Sequence, residues 1–100
     1  RQTIVVLTSE FGRRPEQNGD SGTDHGTSAP MLVIGDAVQG GLYGAQPDLD
    51  PNSLRWYGNL DVEVDYRSVY GEIVGQWLKG DDAAVLGRNY PRLDLLRFTL

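Results

Sequence analysis

The apolar run Thr3–Leu7 (TIVVL) and the polar stretch behind it restrict this chain more than any other feature. A continuous β-branched and apolar run with no polar face suits a strand buried on both sides, as in a parallel sheet covered by helices. Yet Ser9–Gly26 (SEFGRRPEQNGDSGTDHG) contains almost nothing able to build a core, and the next apolar segment starts only at Ala29. A sheet of two or three strands cannot cover both faces of such a run. The first strand therefore calls for partner strands, either in further sequence of the same protein or in another chain.

With 100 residues the chain is expected to be a single domain or a fragment of a larger α/β domain, spanning 1–100. It opens on Arg1 and enters a strand at once, which reads as a piece of a longer polypeptide. Fourteen acidic residues against 9 basic give a net charge of -5, which argues against nonspecific nucleic-acid binding, since phosphate neutralisation needs surplus Lys and Arg. The absence of cysteine removes disulfides and thiolate metal sites. No apolar run approaches membrane-spanning length. Arg13-Arg14 has no apolar stretch after it and is not a twin-arginine export signal.

Ser9–Ser28 reads as one long loop, punctuated by Pro15, Asn18-Gly19, Gly22 and Gly26. Loops of that length are often functional. A second strand is expected over Met31–Ile34, ending at Gly35, and a short extended piece within Leu60–Tyr66. Tyr66, Val69, Tyr70, Ile73, Val74, Trp77 and Leu78 follow the spacing of one core-facing helical stripe, with Asp65 as N-cap and Gly80 as stop. The stretch after Gly80 reads as a loop, and Leu93–Leu100 as a last strand or a packed tail. The expected fold class is α/β, a partial sheet with a covering helix.

Glu10 follows a strand end, where open α/β sheets place their ligand-binding loops, and Asp24-His25 precedes the second strand. Two carboxylates and an imidazole brought together would suit a divalent metal such as Zn, Mn or Ca, and Arg13 or Arg14 could clamp an anion by paired hydrogen bonds. Blander readings stand beside these. An Asp-His pair also arises by chance on a surface, and the two arginines also fit as solvated charges or structural ion-pair partners. Asn18-Gly19 and Gly22 fit as turn formers with φ > 0. Trp56-Tyr57 fits either a sugar platform or burial against the body. Neither a phosphate-binding loop nor a dinucleotide fingerprint is present.

The order of S-E-F-G-R, G-T-D-H-G and D-Y-R-S-V-Y-G-E, from about Thr3 to Gly80, resembles the C-terminal part of the domain-of-unknown-function 1501 family. Those bacterial proteins, often exported, look like distant members of the alkaline phosphatase and sulfatase superfamily. The resemblance implies a C-terminal piece of an alkaline-phosphatase-like α/β sandwich whose metal ligands sit on loops after strand ends. Glu10 and His25 would be metal ligands, Asp24 would orient or ligate, and Arg13 would bind the transferred or leaving group. A departure is visible at Glu10-Phe11-Gly12, where the superfamily pattern is Asp-His-Gly, so one imidazole is gone. The resemblance also places the nucleophile and the first metal-binding aspartates in an N-terminal portion outside this chain, which becomes the expected partner, alongside self-association through exposed strand edges. The expected function is then a metal-dependent hydrolase of phosphate or sulfate esters, complete only in the longer protein. The alternative is an exported binding or structural protein that keeps the fold without a full metal set.

Overall fold

The computed structural model describes residues 3–45, 47–55, 58–60 and 63–97. The chain is a small mixed α/β structure. In order it contains β1 (Val5–Leu7), β2 (Gly12–Gln17), β3 (Thr23–Gly26), β4 (Leu32–Ile34), a 3₁₀ turn (Pro51–Ser53), α1 (Tyr66–Glu72), a π-helical turn (Ile73–Trp77) and α2 (Asp82–Leu86). The strands form two separate two-stranded sheets, β1 with β4 and β2 with β3. The chain divides into two compact units: residues 5–33 with 45–63, and residues 1–4 with 34–44 and 64–100.

The second of these units holds the buried apolar side chains Ala37, Val38, Val69, Tyr90, Leu95 and Leu96. Its organising group is a carboxylate. Glu72 is 0% exposed, and it accepts from the backbone N–H of Leu93 at 2.9 Å, Leu95 at 2.5 Å and Leu96 at 3.2 Å. Asp94 adopts a left-handed backbone (φ 58), which turns neighbouring N–H groups toward one point, the geometry of an anion-binding nest. The segment so held pairs with the chain at Ala37–Gln39. Val38 and Leu96 form an antiparallel bridge, with Gln39 N donating to Leu95 O at 2.6 Å and Arg97 N to Ala37 O at 2.7 Å. The expected tail packed on the body is thus present through Arg97, and Phe98–Leu100 lie outside the described residues.

Helix α1 starts where the sequence places it. The Asp65 side chain accepts from Arg67 N, and the Arg67 guanidinium returns to the same carboxylate through Nε at 2.9 Å and Nη2 at 2.8 Å. That pairing holds the Asp65 carboxyl below its ordinary value of 3.8. The expected single helix to Leu78 changes pitch after Glu72. Leu78 N reaches back to Ile73 O, and the run ends with Lys79 in the left-handed region (φ 60) and Gly80 N bonded to Val74 O. The stop therefore falls one residue ahead of the glycine. Its stripe is only partly covered: Val69 is buried, while Tyr66 and Leu78 are largely exposed.

Several expectations are corrected. The segment after Gly80 is not all loop, because Asp81 caps α2 by accepting from Ala84 N and Gly87 (φ 88) closes it. Ser9–Ser28 is not one loop but contains the β2–β3 hairpin. The first strand is not buried on both faces. Val5 and Leu7 are each 47% exposed, as are Leu32 (57%) and Ile34 (54%) across the pair. Among the described residues of the unit that holds β1, the 3₁₀ turn Pro51–Ser53 is the only helical element. The Trp56-Tyr57 pair and Asp61-Val62 lie outside the described residues.

Glu72→Ala leaves three inward-pointing N–H groups without an acceptor and should cost roughly 3 kcal/mol or more in urea unfolding, with Glu72→Gln intermediate. Asp65 has a depressed folded-state pKa, so its stabilising contribution is present above the unfolded value and lost as pH falls through the folded one. Acid titration of stability below about pH 4 should accordingly be shallower in Arg67→Met than in the parent, since that variant releases the Asp65 carboxyl from its partner.

Candidate functional site

The polar stretch folds as a hairpin because both its turn and its strands carry local instructions. Asn18 organises the turn: its Oδ1 accepts from Asp20 N at 2.9 Å and Gly22 N at 3.1 Å, and its own N–H donates to Gly22 O at 2.7 Å. The left-handed position expected at a glycine is taken instead by Ser21 (φ 64). Across the hairpin, Gly12 faces Gly26, Arg13 faces His25 and Gln17 faces Thr23. Between Arg13 and Gln17 the register shifts, so that Arg14, Pro15 and Glu16 lie opposite Asp24 alone. Pro15 fits this bulge because it has no N–H to give to a ladder.

The open end of the hairpin depends on its paired glycines. A Cβ on Gly12 would overlap the Ser28 carbonyl oxygen, and one on Gly26 would sit 2.7 Å from the backbone of Arg13 and Arg14. Their absence lets Arg13 N donate to Ser28 O at 3.1 Å. Buried Asn59 braces the same end by accepting from Thr27 N at 3.0 Å.

Period-two geometry then sorts the candidate residues. Arg13 and His25, being cross-strand partners, share one face. Phe11 joins them: its ring stacks on the His25 imidazole with centroids 3.5 Å apart and planes 23° from parallel. The Arg13 guanidinium lies 5.0 Å from the Phe11 centroid and donates through Nη1 to Thr23 O at 2.5 Å. Glu10, the residue before Phe11, is exposed, and its contact is the Ser9 hydroxyl at 3.5 Å.

Asp24 is sequence neighbour to His25 and therefore points to the other face of β3. There it accepts from Asn18 Nδ2 at 3.0 Å and pairs with Arg14 at 3.7 Å. The structure thus brings together Phe11, Arg13 and His25, with Glu10 adjoining them in the chain, and separates Asp24 and Arg14 from that group. Among the described residues no three of His, Asp and Glu gather as a metal cluster. The donor chemistry of Glu10 and His25, one carboxylate and one imidazole, fits two positions of a divalent-metal shell. Asp24 stands apart from them on the other face, where its oxygens meet Asn18 and Arg14.

A family model described as "Protein of unknown function (DUF1501)" matches residues 1–85. The chain belongs to this family. No curated protein and no solved structure matches it. The DUF1501 match takes in Glu10, Phe11, Arg13, Asp24 and His25 as well as Glu72, while the Leu93–Leu96 nest around Glu72 falls beyond it.

Reasoning from sequence missed Phe11 as a partner of His25, because the stack joins residues on two strands whose register was not legible. It also missed a cleft of about 390 Å³ lined by Asp48, Asn52, Ser53, Arg55 and Glu63. There the backbone N–H of Asp50, followed by the Ser53 hydroxyl, holds the Asp48 carboxyl below its usual range. The local signal was the Asp-rich "PDLDPNS" stretch, whose side chains close on their own backbone. Among the described residues no helix is long and apolar enough to cross a membrane.

The hairpin's dependence on close backbone approach is directly testable. Gly12→Ala should lower the unfolding free energy by about 1–3 kcal/mol, because the clash is with backbone and no side chain can move aside. Gly19→Ala, where nothing lies within 4 Å, is the matched control and should leave the urea midpoint nearly unchanged.

Proposed function

We propose that this chain forms part of a metal-dependent hydrolase of phosphate or sulfate esters, related to the alkaline phosphatases and sulfatases. One observation carries the reading: Arg13 stands directly across the hairpin from His25, on the face where the Phe11 stack is found, and Glu10 adjoins Phe11 in the chain. A guanidinium beside an imidazole and a carboxylate is the set of groups needed to bind an ester oxyanion next to a divalent cation. In this reading Glu10 and His25 are metal ligands and Arg13 binds the transferred or leaving group. A metal held there would supply Lewis-acid polarisation of a phosphoryl or sulfuryl oxygen. Asp24, implied as an orienting or ligating group, is instead assigned to the turn through Asn18 and Arg14.

Two protein donors are fewer than a catalytic centre uses, so the remaining ligands and the nucleophile belong to an N-terminal portion of the same protein. The half-exposed apolar residues of β1 and β4 support that partnership, since a strand pair with Val5, Leu7, Leu32 and Ile34 open to solvent is a surface made to be covered. Self-association through the same edges is the expected behaviour of the chain in isolation. The exported location implied by the family resemblance is part of the same proposal.

A second reading, an exported binding or structural protein without a complete metal set, is favoured by one feature. Phe11 occupies the place where the superfamily pattern has a second imidazole.

Elemental analysis of the natural full-length protein separates the two. The hydrolase reading expects stoichiometric divalent metal and hydrolysis of p-nitrophenyl phosphate or sulfate, with metal lost in His25→Ala and Glu10→Gln and kept in Asp24→Asn. Metal-free protein whose His25→Ala variant is equally stable and equally inert would establish the binding or structural reading instead.

A further inference from the structure

We infer that Phe11 is a positioning residue for His25, orienting the imidazole through its face where other sites use a hydrogen bond to its edge. The inference rests on the metal-ligand reading of His25 given above. A ligating imidazole is commonly aimed by a carboxylate or carbonyl that accepts from the ring nitrogen turned away from the metal. Among the described residues, His25 makes no such hydrogen bond at either nitrogen, and its ring contact is the stack on Phe11 at 3.5 Å and 23°.

The distinction has a chemical consequence. The lone pair of one imidazole nitrogen and the N–H bond of the other both lie in the plane of the ring. A face-to-face contact restricts rotation of that plane while leaving the whole edge, with Nδ1 and Nε2, outside the contact. An exposed histidine on a strand would otherwise sample several ring orientations and lose that freedom on binding a ligand. Phe11 removes part of that freedom beforehand and withdraws neither nitrogen.

The surroundings of Phe11 are built to hold it. The next residue, Gly12, is buried and lies against the Ser28 backbone, and Arg13 N is bonded to Ser28 O. The Arg13 guanidinium, tied to Thr23 O, lies 5.0 Å from the Phe11 ring centroid and adds a cation–π contact. Because Glu10 precedes Phe11 in the chain, whatever fixes Phe11 also limits where the Glu10 carboxylate can be relative to the imidazole. An aliphatic side chain of similar volume has no flat face and cannot reproduce the stack.

The test uses the natural full-length protein, with the His25 resonance assigned by its loss in His25→Gln. In the parent, the ring current of Phe11 should shift the His25 ring protons upfield. Phe11→Leu should abolish that shift and weaken binding of Zn²⁺, measured by chelator competition, about tenfold to a hundredfold. Phe11→Tyr, which keeps the ring, should retain both the shift and the affinity. A folded Phe11→Leu protein with unchanged Zn²⁺ affinity overturns the inference, and so does a Phe11→Tyr protein that keeps the shift but loses the affinity. If the parent binds Zn²⁺ through His25 without an upfield shift, the role of Phe11 fails and the hydrolase reading stands. If it shows the shift and binds no Zn²⁺, the hydrolase reading fails and the positioning role goes with it.

Discussion

The buried carboxylate of Glu72 is the constraint on which the helical unit depends. A fully enclosed charged group is costly to remove from water, and the chain offsets that cost by turning three backbone N–H groups onto it. The arrangement joins two segments far apart in sequence. The end of α1 supplies the acceptor, and Leu93–Leu96 supplies the donors, with Asp94 accepting a left-handed backbone to aim them. Leu95 and Leu96 are buried by the same turn, so satisfying the carboxylate and burying the apolar side chains are one event. The bridge from Leu96 to Val38 then ties in the Ala37–Gln39 segment.

The hairpin unit works on a different principle. It contains none of the buried apolar side chains found among the described residues, and its order comes from backbone hydrogen bonds, Asn-centred turn chemistry and two glycines that permit close approach. Such a unit can present polar side chains on both faces without exposing a core. Its alternation and its bulge act as a sorting device. One face receives Arg13 and His25, and the other receives Asp24 with Arg14 as structural partners. What looked like one cluster in the linear sequence is two sets of groups on opposite faces.

Much of the local structure was legible beforehand because its causes are local. Asp65 was readable as an N-cap, since an acidic side chain just ahead of an apolar stripe finds a free N–H two residues on. The strand β4, placed within Met31–Ile34, and the packing of the tail were likewise legible. The helix at Asp82–Leu86 was within reach, bracketed by Asp81 and Gly87, but the short apolar content made a loop the simpler reading. The hairpin was not legible. Arginine, proline and glycine dominate its strands, so neither β propensity nor alternation marks them, and its pairing is decided by turn geometry.

The sequence by itself determined the α/β character of the chain, the start of its main helix, the acidic balance, the lack of thiol chemistry and the short list of groups able to do chemistry at all. These follow from residue types and from interactions within a few positions. Only the tertiary structure decided which of those groups meet. The adjacency of Asp24 and His25 in the chain argued for a joint role, yet a strand sends neighbours to opposite faces, and a bulge then delivers Arg14 to Asp24. Phe11 meets His25 because register placed its ring there. Glu72, one acidic residue among 14, became the anchor of its unit because its helix position faces a turn formed more than twenty residues later. Contacts of that kind depend on register and on closure of long segments, which no local pattern of residue types specifies.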